Sequence, residues 1–229
     1  MVKAKPHISE KLDRRDRIVM AALPHVMFDG WNAKTLRRAA SDIGLTEADA
    51  DLAFPDGARD AVAHFVDLAD RMMIGDLARH DMTKLKHREK IALIVRLRLQ
   101  RWTPHREAVR RALALAPMPA MAGDAVRGWF GTVDAMWKAI GDKSIDFSFY
   151  TKRALLAAVY GSTVLYWLDD KSEGCAGTWA FLDRRIDDVM KVPKVRAKLE
   201  ERLKKLPSPL RIIERLRGRG ARFGAKQGA

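Results

Sequence analysis

The longest stretch of this sequence without a charged side chain covers residues 154–168. Read with helical periodicity, it is apolar on every side, which is typical of a helix buried at the centre of a larger structure. Its fifteen residues fall short of the roughly 20 that a membrane-spanning helix requires. We therefore expect a globular body built around one central helix, and we expect any membrane association to be peripheral.

The rest of the chain also follows helical periodicity. Its β-branched residues are scattered, and no run alternates between apolar and polar positions as a strand would. The pattern predicts helices over about residues 13–28, 35–43, 47–54, 58–80, 84–102, 106–115, 123–140, 149–168 and 174–190. Pro24 is expected to kink or end the first helix, and Pro193 to begin a C-terminal tail. The predicted fold class is all-α.

Residues 35–54 contain a helix, a tight turn at Gly44 and a second helix that Thr46 can cap, which is the pattern of a helix-turn-helix. With a larger helical body behind this motif, the chain resembles the tetracycline-repressor architecture. We expect a helical bundle that has an N-terminal helix-turn-helix and ends in a C-terminal amphipathic helix. The predicted domains are a helix-turn-helix-like subdomain at 11–56, a helical body at 57–190 and a basic amphipathic tail at 191–229.

The second helix of this motif lacks the side chains that a DNA-reading helix needs. Such a helix enters the major groove and contacts bases and phosphates through donors, and positive charge supplies much of its affinity. Between residues 46 and 52 this helix offers the carboxylates of Glu47, Asp49 and Asp51 and no Lys or Arg. The pattern favours an N-terminal cap of the bundle or a repurposed motif. A transcriptional regulator of the tetracycline-repressor type is the alternative.

The sequence contains no recognisable catalytic or metal-binding pattern. No Glu is followed three residues later by a His, as di-iron bundles require, and glycine-rich phosphate loops and Gly-x-Ser-x-Gly are missing. The nearest metal-like spacing, Asp60 to His64, is one pair without a second and indicates surface charge. The single Cys175 excludes an intramolecular disulfide and is predicted to lie at the start of a helix. We predict no enzymatic activity, no metal and no cofactor.

The last 39 residues carry 13 Lys and Arg but three acids, so they contribute +10 of the formal net charge of +14. A basic amphipathic segment seeks an anionic surface, which is either a nucleic acid or a membrane. The apolar residues between 209 and 216 fall within an arc of about 160° on a helical wheel, as in a helix that lies in a membrane interface. We predict binding to an anionic membrane surface through Leu210, Arg211, Ile212, Ile213, Arg215, Leu216 and Arg217.

Three segments of the body resemble one known family. They are residues 133–137 (VDAMW), 141–160 (GDKSIDFSFYTKRALLAAVY) and 178–185 (TWAFLDRR), with shorter matches at His25, Gly30-Trp31, Asp56-Gly57 and His64-Phe65-Val66. Together they make the chain similar to the ubiquinone-biosynthesis accessory lipid-binding family, that of the ninth protein of the coenzyme Q series. The resemblance covers about residues 14–190, and in the tail only the basic, amphipathic character is shared.

The resemblance implies a tetracycline-repressor-like fold that no longer reads DNA sequence and a body that holds an isoprenoid or other lipid in an apolar cavity. Within the central helix we assign lipid binding to Leu155, Ala158, Val159, Ser162 and Trp167. The resemblance also implies a patch that binds the di-iron demethoxyubiquinone hydroxylase. The matching positions are Asp134, Met136, Phe149, Tyr150 and Arg153. The chain has Phe149 where the family often has Trp, and Ala135 where a second acid is common.

The resemblance implies a place of action as well. No mitochondrial presequence is visible, so we expect a bacterial protein in the cytoplasm that associates peripherally with the inner membrane. The architecture is compatible with a homodimer, and no sequence-specific DNA binding is expected. The predicted function is a non-enzymatic accessory protein of ubiquinone biosynthesis that holds a quinone-precursor lipid at the membrane and presents it to the hydroxylase.

Overall fold

The computed structural model of this protein describes the backbone of residues 13–142 and 147–205, with side chains at 13–142 and 150–191. Every regular element in these residues is helical, which confirms the all-α class. The helices are α1 (Arg14–Asp29), α2 (Ala33–Asp42), α3 (Glu47–Ala53), α4 (Ala58–Leu77), α5 (His87–Gln100), α6 (Arg106–Leu115), α7 (Pro119–Ala139), α8 (Phe147–Asp169) and α9 (Ala176–Lys205). Short 3-10 turns at Thr103–His105 and Glu173–Cys175 precede α6 and α9.

Local chemistry explains the bounds of the N-terminal helices. Thr46 and Asp49 exchange hydrogen bonds as a capping box at the start of α3, which confirms the cap predicted at Thr46. α1 contains Pro24 and continues past it to Asp29. Since Pro24 is exposed, water can replace the backbone hydrogen bond that the proline removes, and the helix does not end there.

α4 and α8 form much of the frame around the core. α4 packs against α1, α5 and α7, while α8 packs against α5, α6 and α7. The buried side chains follow helical spacing, as in α4 with Phe65, Leu68, Ala69, Met72 and Met73. The inner faces of five helices, α4 to α8, therefore meet within the body.

α8 is not buried on every side, so the expectation of a fully enclosed central helix was wrong. One of its faces is buried and includes Leu156, Val159, Tyr160, Val164 and Trp167. The opposite face is exposed at Ala154, Ala158 and Leu165, and the Leu165 side chain is 65% exposed. The apolar side chains of this helix therefore lie on two faces, one packed in the core and one exposed at the surface.

α9 continues through Pro193 to Lys205, beyond the residue at which the tail was expected to begin. The chain divides into two units, a body that ends at Ile186 and a second unit that begins at Asp187. The predicted interfacial helix between residues 209 and 217 lies outside the described residues. Among the helices that the structure describes, none has the length and apolarity needed to cross a membrane.

Candidate functional site

A cavity of about 110 Å³ lies where the inner faces of α4 to α8 meet. Most of its wall is apolar, and the larger contributors are Phe65, Val66, Leu99, Leu113, Trp129 and Val164. An apolar cavity of about this size can take up a small apolar molecule in place of water. The site can therefore hold a ligand by burial of apolar surface.

The cavity wall also contains an ion pair. Arg98 and Thr132 border the cavity, and both donate to Asp70 of α4, Arg98 through Nε to Oδ1 at 2.9 Å and Thr132 through Oγ1 to Oδ2 at 2.8 Å. Burial raises the pKa of Asp70, and the neighbouring Arg98 opposes that rise. This part of the wall is therefore polar, and the positive charge of Arg98 is balanced by the carboxylate of Asp70.

Close helix packing shapes another part of the wall. Tyr160 of α8 is buried and stacks on Trp129 of α7 with the ring centroids 4.7 Å apart. Burial raises the pKa of Tyr160, so the phenol remains protonated at neutral pH. The next residue, Gly161, allows this approach, because a Cβ atom at that position would lie 3.0 Å from the Trp129 ring.

Two tryptophans of the wall bury indole N–H groups that lack an acceptor among the described residues, Trp102 after α5 and Trp167 in α8. Trp102 packs edge to face against Phe65 with centroids 4.8 Å apart. The Trp167 ring lies beneath the Arg106 guanidinium, whose central carbon is 5.0 Å from the ring centroid. The wall thus combines apolar residues with two tryptophans whose buried indole N–H groups are unpaired within the described residues.

Of the five residues predicted to bind lipid, Trp167 lines this cavity. Val159 is buried in α8 without bordering it, and Leu155 and Ser162 are half-buried. Ala158 is exposed on the outer face of the helix. Most of the wall comes from α4 to α7, and helical periodicity had marked only some of those positions as core, without showing that they meet around a cavity.

The residues predicted to bind a partner lie around the N-terminal end of α8 and the facing part of α7. We call Asp134, Lys138, Tyr150 and Arg153 the α7–α8 surface. Tyr150 is 71% exposed, whereas Arg153 is 8% exposed and donates through Nε to Asp134 Oδ1 at 2.7 Å. Lys138 Nζ lies 2.7 Å from Asp134 Oδ2. Burial tends to raise the pKa of Asp134, but hydrogen bonds from Lys138 and Arg153 outweigh it and hold that pKa below its usual value.

Met136 and Phe149 complete the predicted patch. Met136 is fully buried, so it supports the α7–α8 surface from beneath and does not reach a partner directly. The Phe149 side chain lies outside the described side chains. Tyr150 is therefore the predicted contact residue that the described structure presents most openly.

The acids of α3 engage nearby arginines. Asp49 accepts a hydrogen bond of 2.8 Å from Arg14 Nη1, and Asp51 accepts one of 2.9 Å from Arg37 Nε. Hydrogen bonds from Thr46 lower the pKa of Asp49. Two arginines that could contact phosphate are therefore paired with carboxylates of the helix that would enter the groove.

One group of potential metal ligands occurs in the described residues, formed by Asp13, Asp16 and His64. Arg71 already donates to both carboxylate oxygens of Asp16, at 3.0 and 2.5 Å. His64 lies 2.8 Å from Asp16 through Nε2 and is largely buried, so its expected role as surface charge was wrong. The cluster links α1 to α4 as an ion-pair network.

A solved structure identifies the architecture. The TetR transcriptional regulator from Nitrosomonas europaea aligns with a TM-score of 0.64 at 19% identity, over 77% of this chain and 97% of that one. Identity this low carries the fold and not the activity. The chain therefore has the predicted all-α, tetracycline-repressor-like fold.

Sequence comparison finds a known family domain within the chain. Residues 122–193 match the COQ9 family. The human protein named ubiquinone biosynthesis protein COQ9, mitochondrial, is 33% identical over 181 residues, which cover 76% of this chain and 57% of that protein. The Drosophila melanogaster protein of the same name is 32% identical over 190 residues, covering 81% of this chain and 58% of that protein. Residues 122–193 therefore form a COQ9-family domain, and the chain is similar to COQ9 proteins over about three quarters of its length, which confirms the resemblance read from the sequence. It spans a little under three fifths of these two relatives' lengths.

Proposed function

We propose that this protein is a lipid-binding accessory protein of ubiquinone biosynthesis. The observation that carries the proposal is the apolar cavity among α4 to α8, within a chain whose relatives are named ubiquinone biosynthesis proteins. The ligand is an isoprenoid or a quinone-precursor lipid. The protein holds this lipid at the membrane and presents it to a di-iron demethoxyubiquinone hydroxylase.

The physical basis is exchange of one apolar environment for another. A polyprenyl lipid is nearly insoluble in water, and burial of its surface contributes about 25 cal/mol per Å². A carrier that replaces lipid contacts with protein contacts lets the molecule leave the bilayer at low cost. The cavity of about 110 Å³ suits a portion of the size of one ring, so a longer chain requires the surrounding helices to separate.

We assign the protein an accessory rather than a catalytic role. The polar groups at the cavity support this assignment, because Asp70 is engaged by Arg98 and Thr132 and is not presented as a base. The chemistry on the lipid then belongs to the hydroxylase, which we propose binds the α7–α8 surface with Tyr150 as its exposed anchor.

The proposed place of action is the cytoplasmic side of a bacterial inner membrane. Attachment is peripheral and uses residues 210–217, whose apolar side chains would share one side of a helix, with the basic side chains on the other side or at the border. A homodimer is compatible with this arrangement.

Lipid extracted from the purified protein tests the proposal. Mass spectrometry is expected to detect an isoprenoid or quinone precursor with the wild type and a reduced amount with Ala112→Phe, which fills the cavity from α6. Ala158→Phe adds the same ring on the exposed face of α8 and is the control. No isoprenoid above background from several expression hosts would contradict lipid binding.

The second candidate is a transcriptional regulator, which the helix-turn-helix arrangement of α2 and α3 favours. The pairs Arg14–Asp49 and Arg37–Asp51 weigh against it, because they neutralise the surface that would face DNA. A titration with genomic DNA fragments distinguishes the two. Sequence-selective binding that persists at about 200 mM salt would support the regulator.

A further inference from the structure

Trp102 and Trp167 leave two buried hydrogen-bond donors unused in one cavity wall. Trp102 is 2% exposed and Trp167 is 0% exposed, and neither indole N–H meets an acceptor within the described part of the chain. Another buried indole, that of Trp31, shows the usual arrangement and donates to the Ala108 carbonyl at 3.0 Å. Because buried polar groups are nearly always paired, two unpaired donors in one wall indicate that an acceptor is supplied from elsewhere.

Both indoles line the same cavity and are held by neighbouring side chains. Arg106, four residues after Trp102 in the chain, covers one face of the Trp167 ring. Arg106 is itself fixed, because it donates to the Asp170 carbonyl at 2.5 Å and to Cys175 Sγ at 3.0 Å. With Phe65 against the Trp102 ring, both indoles are held in place before any ligand arrives.

The charge of the wall restricts the kind of acceptor. Its charged side chain, Arg98, is paired with Asp70, which compensates its charge. Arg106, which lies over the Trp167 ring and donates to a backbone carbonyl and a thiol, is not among the residues that border the cavity. A ligand anion in the cavity would therefore lose its hydration without direct contact with an unpaired cation, which is costly in an apolar site. A neutral oxygen pays a much smaller desolvation cost and needs only the kind of donor that an indole N–H provides.

We propose that this cavity selects the oxygen-bearing end of an apolar ligand, whose carbonyl, ether or phenol oxygen accepts hydrogen bonds from the indole N–H groups of Trp102 and Trp167. The proposal rests on the proposed lipid-binding function and adds which end of the lipid the cavity takes up. A volume of about 110 Å³ suits a single substituted ring better than an extended chain. Trp102 and Trp167 are then the residues that determine ligand specificity.

A pair of isosteric probes tests this selection in the full chain. Geranylacetone carries a ketone oxygen on an isoprenoid chain, and the matching triene has a methylene group in place of that oxygen. Calorimetric titration of the wild type is expected to show about tenfold tighter binding of the ketone. Both probes have nearly the same shape, so a change in cavity size alters their affinities equally. The ratio of the two affinities therefore reports the contribution of the oxygen alone.

Substitution by Phe removes each N–H and retains an aromatic ring. Trp102→Phe and Trp167→Phe are each expected to reduce the ketone preference several-fold, and the double variant to abolish it. Trp31→Phe is the matched control and is expected to keep the full preference, because its N–H already has a protein acceptor. Equal affinities in the wild type, or a preference that survives in the double variant, would overturn the proposal.

Nuclear magnetic resonance of the wild type provides a test that does not depend on the variants folding. The chain has six tryptophans, so six indole N–H signals are expected. The ketone should move two of them downfield, and the triene should not. If both probes bind without any signal distinguishing them, lipid binding stands and the oxygen selection fails. If neither probe binds, the proposed function itself is contradicted at this cavity.

Discussion

Arg153 of α8 donates through Nε to Asp134 Oδ1 of α7 at 2.7 Å, and its Nη2 lies 2.6 Å from the same oxygen. The Arg153 side chain also lies 3.8 Å from Asp142 Oδ2. This arginine therefore ties two helices together in a largely buried position. The arrangement separates its role from that of Tyr150, although the two residues are three positions apart and resemble one patch in the sequence.

Arg153→Met is expected to destabilise the fold. It removes the cation that Asp134 and Asp142 share, although Asp134 retains Lys138 and Asp142 retains Lys152. Removal of one partner of a mostly buried ion pair costs about 2 kcal/mol or more. Urea unfolding of the variant and the wild type measures the difference. Lys138→Met is the control, since the Lys138 side chain is mostly exposed and its loss is expected to cost about 0.5 kcal/mol. Equal losses in the two variants would contradict a structural role for Arg153.

Tyr150→Ala is expected to weaken hydroxylase binding by about tenfold while the unfolding midpoint changes little. An exposed aromatic side chain contributes to an interface and little to the isolated fold. Titration of the purified hydroxylase against the two forms measures the effect. Leu165→Ala removes another exposed side chain of the same helix and is the control. If Leu165→Ala weakens binding and Tyr150→Ala does not, the docking surface lies further along α8.

The positions of the helices could be predicted from the sequence because their signals are local. The capping pair Thr46 and Asp49, the run 106–115 and the acidic face of α3 depend on residues within a few positions of one another. The prediction that the tail begins at Pro193 was wrong, because α9 continues through this residue. A proline within a helix removes one backbone hydrogen bond and need not end the helix.

The cavity could not be predicted in the same way. Its wall combines Phe65, Trp102, Leu113, Trp129 and Trp167, which belong to different parts of the chain. Periodicity indicates that such residues face inward, but a void depends on how the side-chain volumes of five helices fit together. For the same reason Ala158, next to the buried Val159, was assigned to the lipid site although it points outward.

Asp170→Asn is expected to destabilise the start of α9 at neutral pH by about 1 kcal/mol, the size of a lost helix cap. Asp170 Oδ2 accepts from the backbone N–H of Thr178 at 2.8 Å and from its hydroxyl at 2.6 Å, and Oδ1 accepts two bonds from Ser172. Burial tends to raise the pKa of Asp170, but these bonds outweigh it and hold the pKa well below the usual value.

The pH dependence of this effect follows from the direction of the shift. A depressed pKa stabilises the fold above the pKa of the unfolded carboxyl, about 3.9, and this contribution disappears as the pH falls through the folded value. The difference between the wild type and Asp170→Asn should therefore shrink in acid. Thermal melts at pH 7 and at acidic pH measure it, and a difference that does not change with pH would contradict the assignment. Asp169→Asn, at the neighbouring exposed position, controls for removal of a charge.

Gly161→Ala is expected to reduce the lipid content of the protein. The new Cβ would lie 3.0 Å from the Trp129 ring, so the ring must shift, and Trp129 both stacks on Tyr160 and lines the cavity.

Gly131→Ala is the matched control in α7, because no atom lies within 4 Å of its new Cβ. Replacing a helical Gly by Ala stabilises by up to about 1 kcal/mol where there is space, so the control should become more stable and retain its lipid. Urea titration together with mass spectrometry of extracted lipid measures both effects. Equal lipid content and equal stabilisation in the two variants would show that Trp129 moves freely, and that this wall does not set the size of the cavity.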